Sequence, residues 1–367
     1  MQRADIIATI RARMAEEGLD CIVAMHDGTH FIETPNPVMV LSGFKALGAA
    51  AAVLDLDGEL RLVVTPAWDV ERAKEMCPGI GVVPAGDVID GLSSLLGKGP
   101  GTTGIAGVPF AAWRMTRRLE AVLPGAKSAD AIVADAAKVK TTDEIAYARE
   151  ATRIAEANFG RLLQIAKPGM SEDEMAADLR WHSKSLGAED NFLMLCAGPH
   201  NRAVAPSNGR RLQEGDVILA EITPSYRGQL AQICRTAVVG KAPAVLTEKY
   251  ALVVEAMHAG IRAAQPGAPM AEVCRAINTV LEAQGYGEYC YPPHIRRRGH
   301  GLGFASNEPG DVALDNETPL APGMVFMIHP NQYLPETGYL LCGEPVVLTE
   351  RGAEPLTRNY AALAQLA

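Results

Sequence analysis

The sequence predicts an α+β protein of two domains, a smaller α/β domain followed by a larger one made of two αα-ββ halves. Three observations carry this. From Ala4 to about Val133 helical and strand-like patterns alternate. From Thr141 two long helical patterns precede a group of strands, and after Glu248 the same helix–helix–strand order recurs, as an internal pseudo-two-fold requires. A chain of 367 residues is long enough to bury two such cores.

The first domain is placed at residues 1–135. Ile6, Ile7, Ile10 and Met14 form a helical stripe, and a short strand at Cys21–Ala24 follows Gly18. Ala49–Asp55 and Leu60–Thr65 read as a hairpin with Asp57-Gly58 as its turn. Helices are expected near Pro66–Met76, Val88–Leu96 and Ala111–Val122, and no phosphate-cradling glycine loop is present. Ala134–Lys140 reads as a small, polar hinge.

The second domain is placed at residues 136–367. Thr141 and Glu144 form a capping box that opens a helix to about Ile165, stopped by Pro168-Gly169. Ser171 and Glu174 open a second helix to about Leu186, and a strand follows near Asn191–Cys196. The second half repeats this with helices at Glu248–Ala264 and Met270–Gln284. Between the halves lies Gly215–Thr236, whose apolar runs Val217–Ile222 and Leu230–Ile233 are separated by Pro224, Ser225 and Gly228, the pattern of a buried hairpin. Glu221, Gln232 and Arg235 then sit on or beside buried strands, where unpartnered polar groups are costly, so they are expected to meet each other or a ligand.

Composition narrows the partners. Hydrophobic residues at 48% and charged residues at 21% are those of a globular protein. A net charge of -9 argues against nucleic acid or an anionic membrane surface. The longest apolar run, near Ala49–Leu54, is far too short to span a bilayer, and Met1–Met14 is amphipathic rather than a secretory signal. Seven scattered cysteines point to a reducing, cytoplasmic setting.

The motif frames resemble those of the pita-bread superfamily, which holds methionine aminopeptidase, aminopeptidase P, prolidase and creatinase. Its metallopeptidases carry a GD…(V/I)D…G…D-x-T-R-T hairpin whose two aspartates bind a pair of divalent metals. Here Gly215-Asp216, Gly228 and Arg235-Thr236 are kept, while Glu221 and Gln232 stand at the aspartate positions. Arg298-Gly299-His300-Gly301-Leu302-Gly303 resembles the segment around the ligand histidine. Pro322–Pro330 resembles PGMVFTIEP with His329 at the ligand glutamate. The last ligand glutamate aligns with Gly343, beside Glu344, and the second catalytic histidine with Asn307. Val40–Phe44 matches a recurring segment of the creatinase and prolidase N-terminal domain. The resemblance therefore implies a creatinase/prolidase-type N-terminal domain and a pita-bread C-terminal domain, with His300 the one unchanged metal ligand of five.

Two bridging carboxylates hold such ions about 3.5–4 Å apart, and Gln232 and Gly343 supply neither bridge. The creatinase branch, whose ligand positions are also replaced, implies a metal-independent hydrolase without cofactor. It would act on a non-peptide C–N bond in a small guanidino, amidine or cyclic amidine compound, with histidine as general acid and base. His300, His329, Glu221 and His200 are the expected catalytic residues. Gln232, Arg298, Asn307, Glu344, Arg235, His30 and Phe31 are expected to bind substrate. His30 and Phe31 lie in the N-terminal loop that reaches the partner's pocket in the creatinase branch, which implies a homodimer. One alternative is a single divalent metal on Glu221, His300 and His329 in an Xaa-Pro peptidase-like hydrolase or lyase. The other is a non-catalytic binding module.

Overall fold

The computed structural model describes residues 2–97, 99 and 101–366. One compact unit runs to Thr142 and includes Phe304–Ser306; the other comprises Asp143–Gly303 and the chain from Asn307 onward.

The first unit opens with α1 (Arg3–Glu17), which buries Ile6, Ile10 and Met14 and ends at Gly18, whose φ of 65° returns its N–H to the last carbonyls. There follow β1 (Cys21–His26), α2 (Pro37–Ser42), β2 (Ala50–Asp55), β3 (Leu60–Val64) and α3 (Val70–Met76). β4 (Gly81–Pro84), α4 (Val88–Leu96), β5 (Thr103–Ala106), α5 (Trp113–Val122), β6 (Lys127–Ser128) and α6 (Asp130–Ala137) complete it. The strands form one sheet in the order β4-β3-β2-β1-β5-β6. Alternation along β1 serves two cores: Ile22 and Ala24 pack with α1, α2 and α6, while Cys21, Val23 and Met25 pack with α4 and α5. The expected hairpin is present as β2–β3. The expected hinge at Ala134–Lys140 is corrected, because α6 continues to Ala137 and buries Ala136 and Ala137 in the first core. The stretch Pro66–Met76 is a short 3-10 turn at Ala67–Asp69 that leads into α3.

The second unit begins with α7 (Thr142–Ile165) and α8 (Glu172–Ser185). Ser171 caps α8 through its side chain while Glu174 returns to the Ser171 N–H, the reciprocal box read from the sequence. Next come β7 (Asp190–Gly198), β8 (Val217–Tyr226), β9 (Gln229–Leu230) and β10 (Ile233–Val239). The second half repeats the order with α9 (Ala244–Ala263), α10 (Met270–Ala283), β11 (Gly299–Gly301), β12 (Val325–Ile328), β13 (Gln332–Leu334) and β14 (Gly338–Leu340). β15 (Glu344–Thr349), β16 (Gly352–Pro355) and β17 (Ala364–Leu366) close the chain. One sheet runs β17-β10-β8-β7 with β9 on β8, another β11-β12-β15-β16, and β13 pairs with β14. Leu162, Met175 and Leu179 of the helices pack on Leu195, Ile218, Ile222 and Ile233 of the first of these sheets.

The central hairpin differs from its expected outline. Pro224 and Ser225 are not its turn: β8 continues through them to Tyr226, and the turn is Arg227-Gly228, with φ of 47° and 79°. A two-residue loop with both φ positive matches the twist of the flanking strands, and Tyr226 pairs across it with Gln229. Leu230–Ile233 is not one strand either. The ladder breaks at Ala231 and Gln232, so Gln232 is released from the in–out alternation of β10.

No helix among the described residues is long and apolar enough to cross a membrane. All seven cysteines are buried and unbridged.

Candidate functional site

The second unit gathers its polar residues where strands of its two halves meet. On β8 and β10 Glu221 lies opposite Cys234, and Cys234 in turn bridges to Gly343, exchanging backbone hydrogen bonds of 3.3 and 3.2 Å with it. On the other side His300 of β11 pairs with Met327 of β12, and the chain leaving β12 presents His329, whose N–H donates to the Arg298 carbonyl at 2.9 Å. Gly301 permits a close approach beside His300: a Cβ there would lie 2.3 Å from the Glu308 carbonyl carbon and 2.8 Å from that of Asn307.

The imidazoles of His300 and His329 form a pair, with ring centroids 5.3 Å apart at 60°. His300 Nδ1 lies 2.9 Å from the Gly301 carbonyl oxygen. A carbonyl only accepts, so this contact places the proton on Nδ1 and the lone pair on Nε2. His329 is 8% exposed and its Nδ1 has no hydrogen-bond partner among the described residues. Burial, then the neighbouring His300, hold His329 neutral, well below the usual histidine range.

Across from the pair, Cys234 is a hub. Its Sγ lies 3.7 Å from Gln232 Nε2, 3.7 Å from Asn331 Nδ2 and 3.9 Å from Glu221 Oε2. The two amides donate to sulfur and the thiol donates to the carboxylate, which requires the thiol to keep its proton. Burial, then Glu221, push its pKa well above that of an ordinary thiol. Burial, then Glu221, likewise raise the phenol of Tyr339 on β14. Cys234 reads in the sequence as a small core residue and Tyr339 carries no signal there; only the strand pairing brings them to Glu221.

Other expected site residues are spent elsewhere. Arg235 is 3% exposed and Glu344 fully buried, and they pair at 3.1 Å. Glu344 also accepts from Thr357 Oγ1 and the Ala361 N–H, while Arg235 donates to the carbonyls of Cys234, Gly343 and Asn359. This pair ties β10 to β15 and leaves neither residue for substrate. Arg298, expected to meet a substrate carboxylate, is 1% exposed. It donates to Asn278 Oδ1 at 2.7 Å and Gln332 Oε1 at 2.9 Å, joining α10 to β13. His200 is exposed, with its ring on the Pro335 carbonyl and edge-on to Tyr333. Asn307 is half-buried at the close approach to Gly301. In the first unit His30 stacks on His26 at 4.7 Å and bonds the Ala46 carbonyl, while Phe31 is 49% exposed.

The donor set does not fit two divalent ions. Gln232 is neutral and turned toward sulfur. A Cβ at Gly343 would lie 2.6 Å from His329 Cβ and 2.6 Å from Met327 Cε, so the volume a carboxylate would need there is filled. The carboxylate of Glu344 belongs to Arg235. Among the described residues no group of three or more His, Cys, Asp or Glu side chains is placed to hold an ion, so Glu221, His300 and His329 do not form a one-metal set either.

The sequence profile of metallopeptidase family M24 matches residues 146–350. An uncharacterized peptidase of Bacillus subtilis, YqhT, is 30% identical over 60% of this chain, and the match spans 62% of that protein's length. A Pyrococcus furiosus Xaa-Pro dipeptidase is 29% identical over 90% of this chain and 93% of its own. The crystal structure of the prolidase from Pyrococcus horikoshii superposes with a TM-score of 0.85 over 98% of this chain and 99% of that one, at 24% identity. The expected two-domain fold with a pita-bread second half is thereby borne out. The expected activity is not. A metal-independent, creatinase-like hydrolase of non-peptide C–N bonds, without cofactor, is overturned by similarity to peptidases within a metallopeptidase family. The altered ligand positions pointed away from peptide chemistry, whereas the similarity over nine tenths of the chain points to it.

Proposed function

Since the chain belongs to metallopeptidase family M24, we propose that it is a prolidase-like hydrolase that cleaves the peptide bond of small Xaa-Pro peptides. The observation that carries this is the match to the Pyrococcus furiosus Xaa-Pro dipeptidase over nearly the full length of both chains. The site is the buried cluster of the second unit. His300 offers its Nε2 lone pair and His329 its unpartnered Nδ1 to the scissile group. Glu221, on the strand facing Cys234, holds the amino side of the peptide, and Asn307 lines the approach beside Gly301. No step is routed through metal, because the donors present do not fit a two-ion centre. A cytoplasmic homodimer is the assembly we assign, with the loop of His30 and Phe31 as its reach toward the partner; seven unbridged thiols support the compartment.

The test is release of free proline from Leu-Pro and Met-Pro, with and without added Mn²⁺, Co²⁺ or Zn²⁺. Turnover is expected, and His300→Ala and His329→Ala should each lower kcat by roughly 10²-fold or more, the usual worth of a group that handles a proton in the transition state. Unchanged kcat in both variants refutes the residue roles. A second reading, binding of small peptides without turnover, is favoured by the one specific observation that four of the five expected ligand positions are altered. It predicts saturable peptide binding with no proline released under any metal condition.

A further inference from the structure

The charges around Cys234 leave a specific requirement. Glu221 is the carboxylate of this cluster; Glu344 is neutralised by Arg235. Cys234 donates its proton to Glu221 and the nearby Tyr339 phenol is raised by burial, so neither adds negative charge. His300 donates from Nδ1 to a carbonyl and His329 is buried, which leaves the imidazole pair without a site for a second acid. The cluster thus carries a charge of one, too little for a pair of divalent ions and matched to a monovalent cation. Gln232 adds geometry. It is 1% exposed, its Nε2 is turned to Cys234 Sγ, and its Oε1 accepts no hydrogen bond from the described residues. A buried carbonyl in that state needs a donor. Gln232 Nε2 and Glu221 Oε2 both lie within 4 Å of the same sulfur, so the two acceptors flank one point.

We propose that the cation Glu221 takes is a protonated primary amine of the ligand, the free amino terminus of a small peptide, held between the Glu221 carboxylate and the Gln232 carbonyl oxygen. Cys234 is the positioning residue: by receiving the Gln232 and Asn331 amides and donating to Glu221 it fixes which face of Gln232 meets the ligand. An ammonium supplies three N–H donors and one charge, which satisfies both acceptors at once. The assignment rests on the reading of this site as one for small peptides, but it concerns the amino end alone.

The experiment uses the full chain and two ligands that lack an Xaa-Pro bond, leucinamide and N-acetyl-leucinamide, in titration calorimetry. Leucinamide should bind about tenfold more tightly or better, the worth of one charge-assisted hydrogen-bond set. Glu221→Gln should erase the preference at unchanged melting temperature. Cys234→Ala should weaken leucinamide binding and Cys234→Ser restore it, an order that a purely structural thiol would not produce. Equal affinity for the two ligands, binding of neither, or a preference that survives Glu221→Gln overturns the proposal. So does Mn²⁺ that displaces leucinamide from the wild type and fails to bind Glu221→Gln. Absence of proline release with the amine preference intact would refute the hydrolase reading and leave this one standing.

Discussion

A methyl group at residue 343 would lie 2.6 Å from the Cβ of His329, closer than two such atoms approach in folded proteins, so the two positions share one volume. Gly343→Ala should therefore destabilise the chain by about 1–3 kcal/mol, the range for overpacking a filled core. The cost should fall markedly in a His329→Gly background, and a double-mutant cycle from urea unfolding measures the difference. Additive costs would show that the two sites do not compete for space. His26 provides the pH counterpart. Burial, then His30, lower its pKa from 6.5 to about 4. The folded state thus takes up the proton later than the unfolded chain. Stability should be complete above pH 6.5 and fall by about 1.4 kcal/mol per unit as the pH drops from there toward 4. His26→Phe should flatten that limb of the stability–pH curve; an unaltered slope would assign it to other groups. At this scale the sequence was legible where a motif is short and local. The Gly299-His300-Gly301 frame identified a buried histidine, while the partners of Arg298 lie 20 and 34 residues away and the expected substrate contact gave way to Asn278 and Gln332.

Element boundaries were legible where the chain signals its own ends. Ser171 and Glu174 close a reciprocal cap with hydrogen bonds of 3.1 and 2.7 Å, as their spacing requires. Ser171→Ala should lower stability by about 1 kcal/mol, seen as an earlier urea midpoint at unchanged slope. No change would mean that Glu174 alone satisfies the first turn. The central hairpin was less legible because Pro224 and Ser225 are turn formers by composition. In the sheet Pro224 accepts from the Ala231 N–H through its carbonyl, and β7 covers the strand from Asn191 onward, so tertiary pairing overrides the local preference. The displaced turn matters for function, since it puts Gln232 in a ladder break where its amide can rotate onto sulfur.

For the whole molecule, the order of elements was readable because both periodicities are strong, and the repeat of two helices before a sheet is visible without any structure. Activity was not readable in the same way. Side-chain identity at five positions says what a site has lost, whereas the substrate class is carried by a likeness spread over hundreds of residues, none decisive alone. The homodimer can be checked directly: light scattering coupled to gel filtration should return twice the 39.0 kDa chain mass, and a monomer at micromolar concentration would dismiss it.

The distribution of sulfur has a practical corollary. Cys21 and Cys77 lie in the first unit, Cys196, Cys234, Cys274, Cys290 and Cys342 in the second, and every one is shielded from solvent in the native state. A thiol reagent can reach them only when the surrounding structure opens, so the rate at which each is modified becomes a clock for that opening. The unaltered protein thus carries its own reporters, able to tell whether the two units loosen together or one before the other.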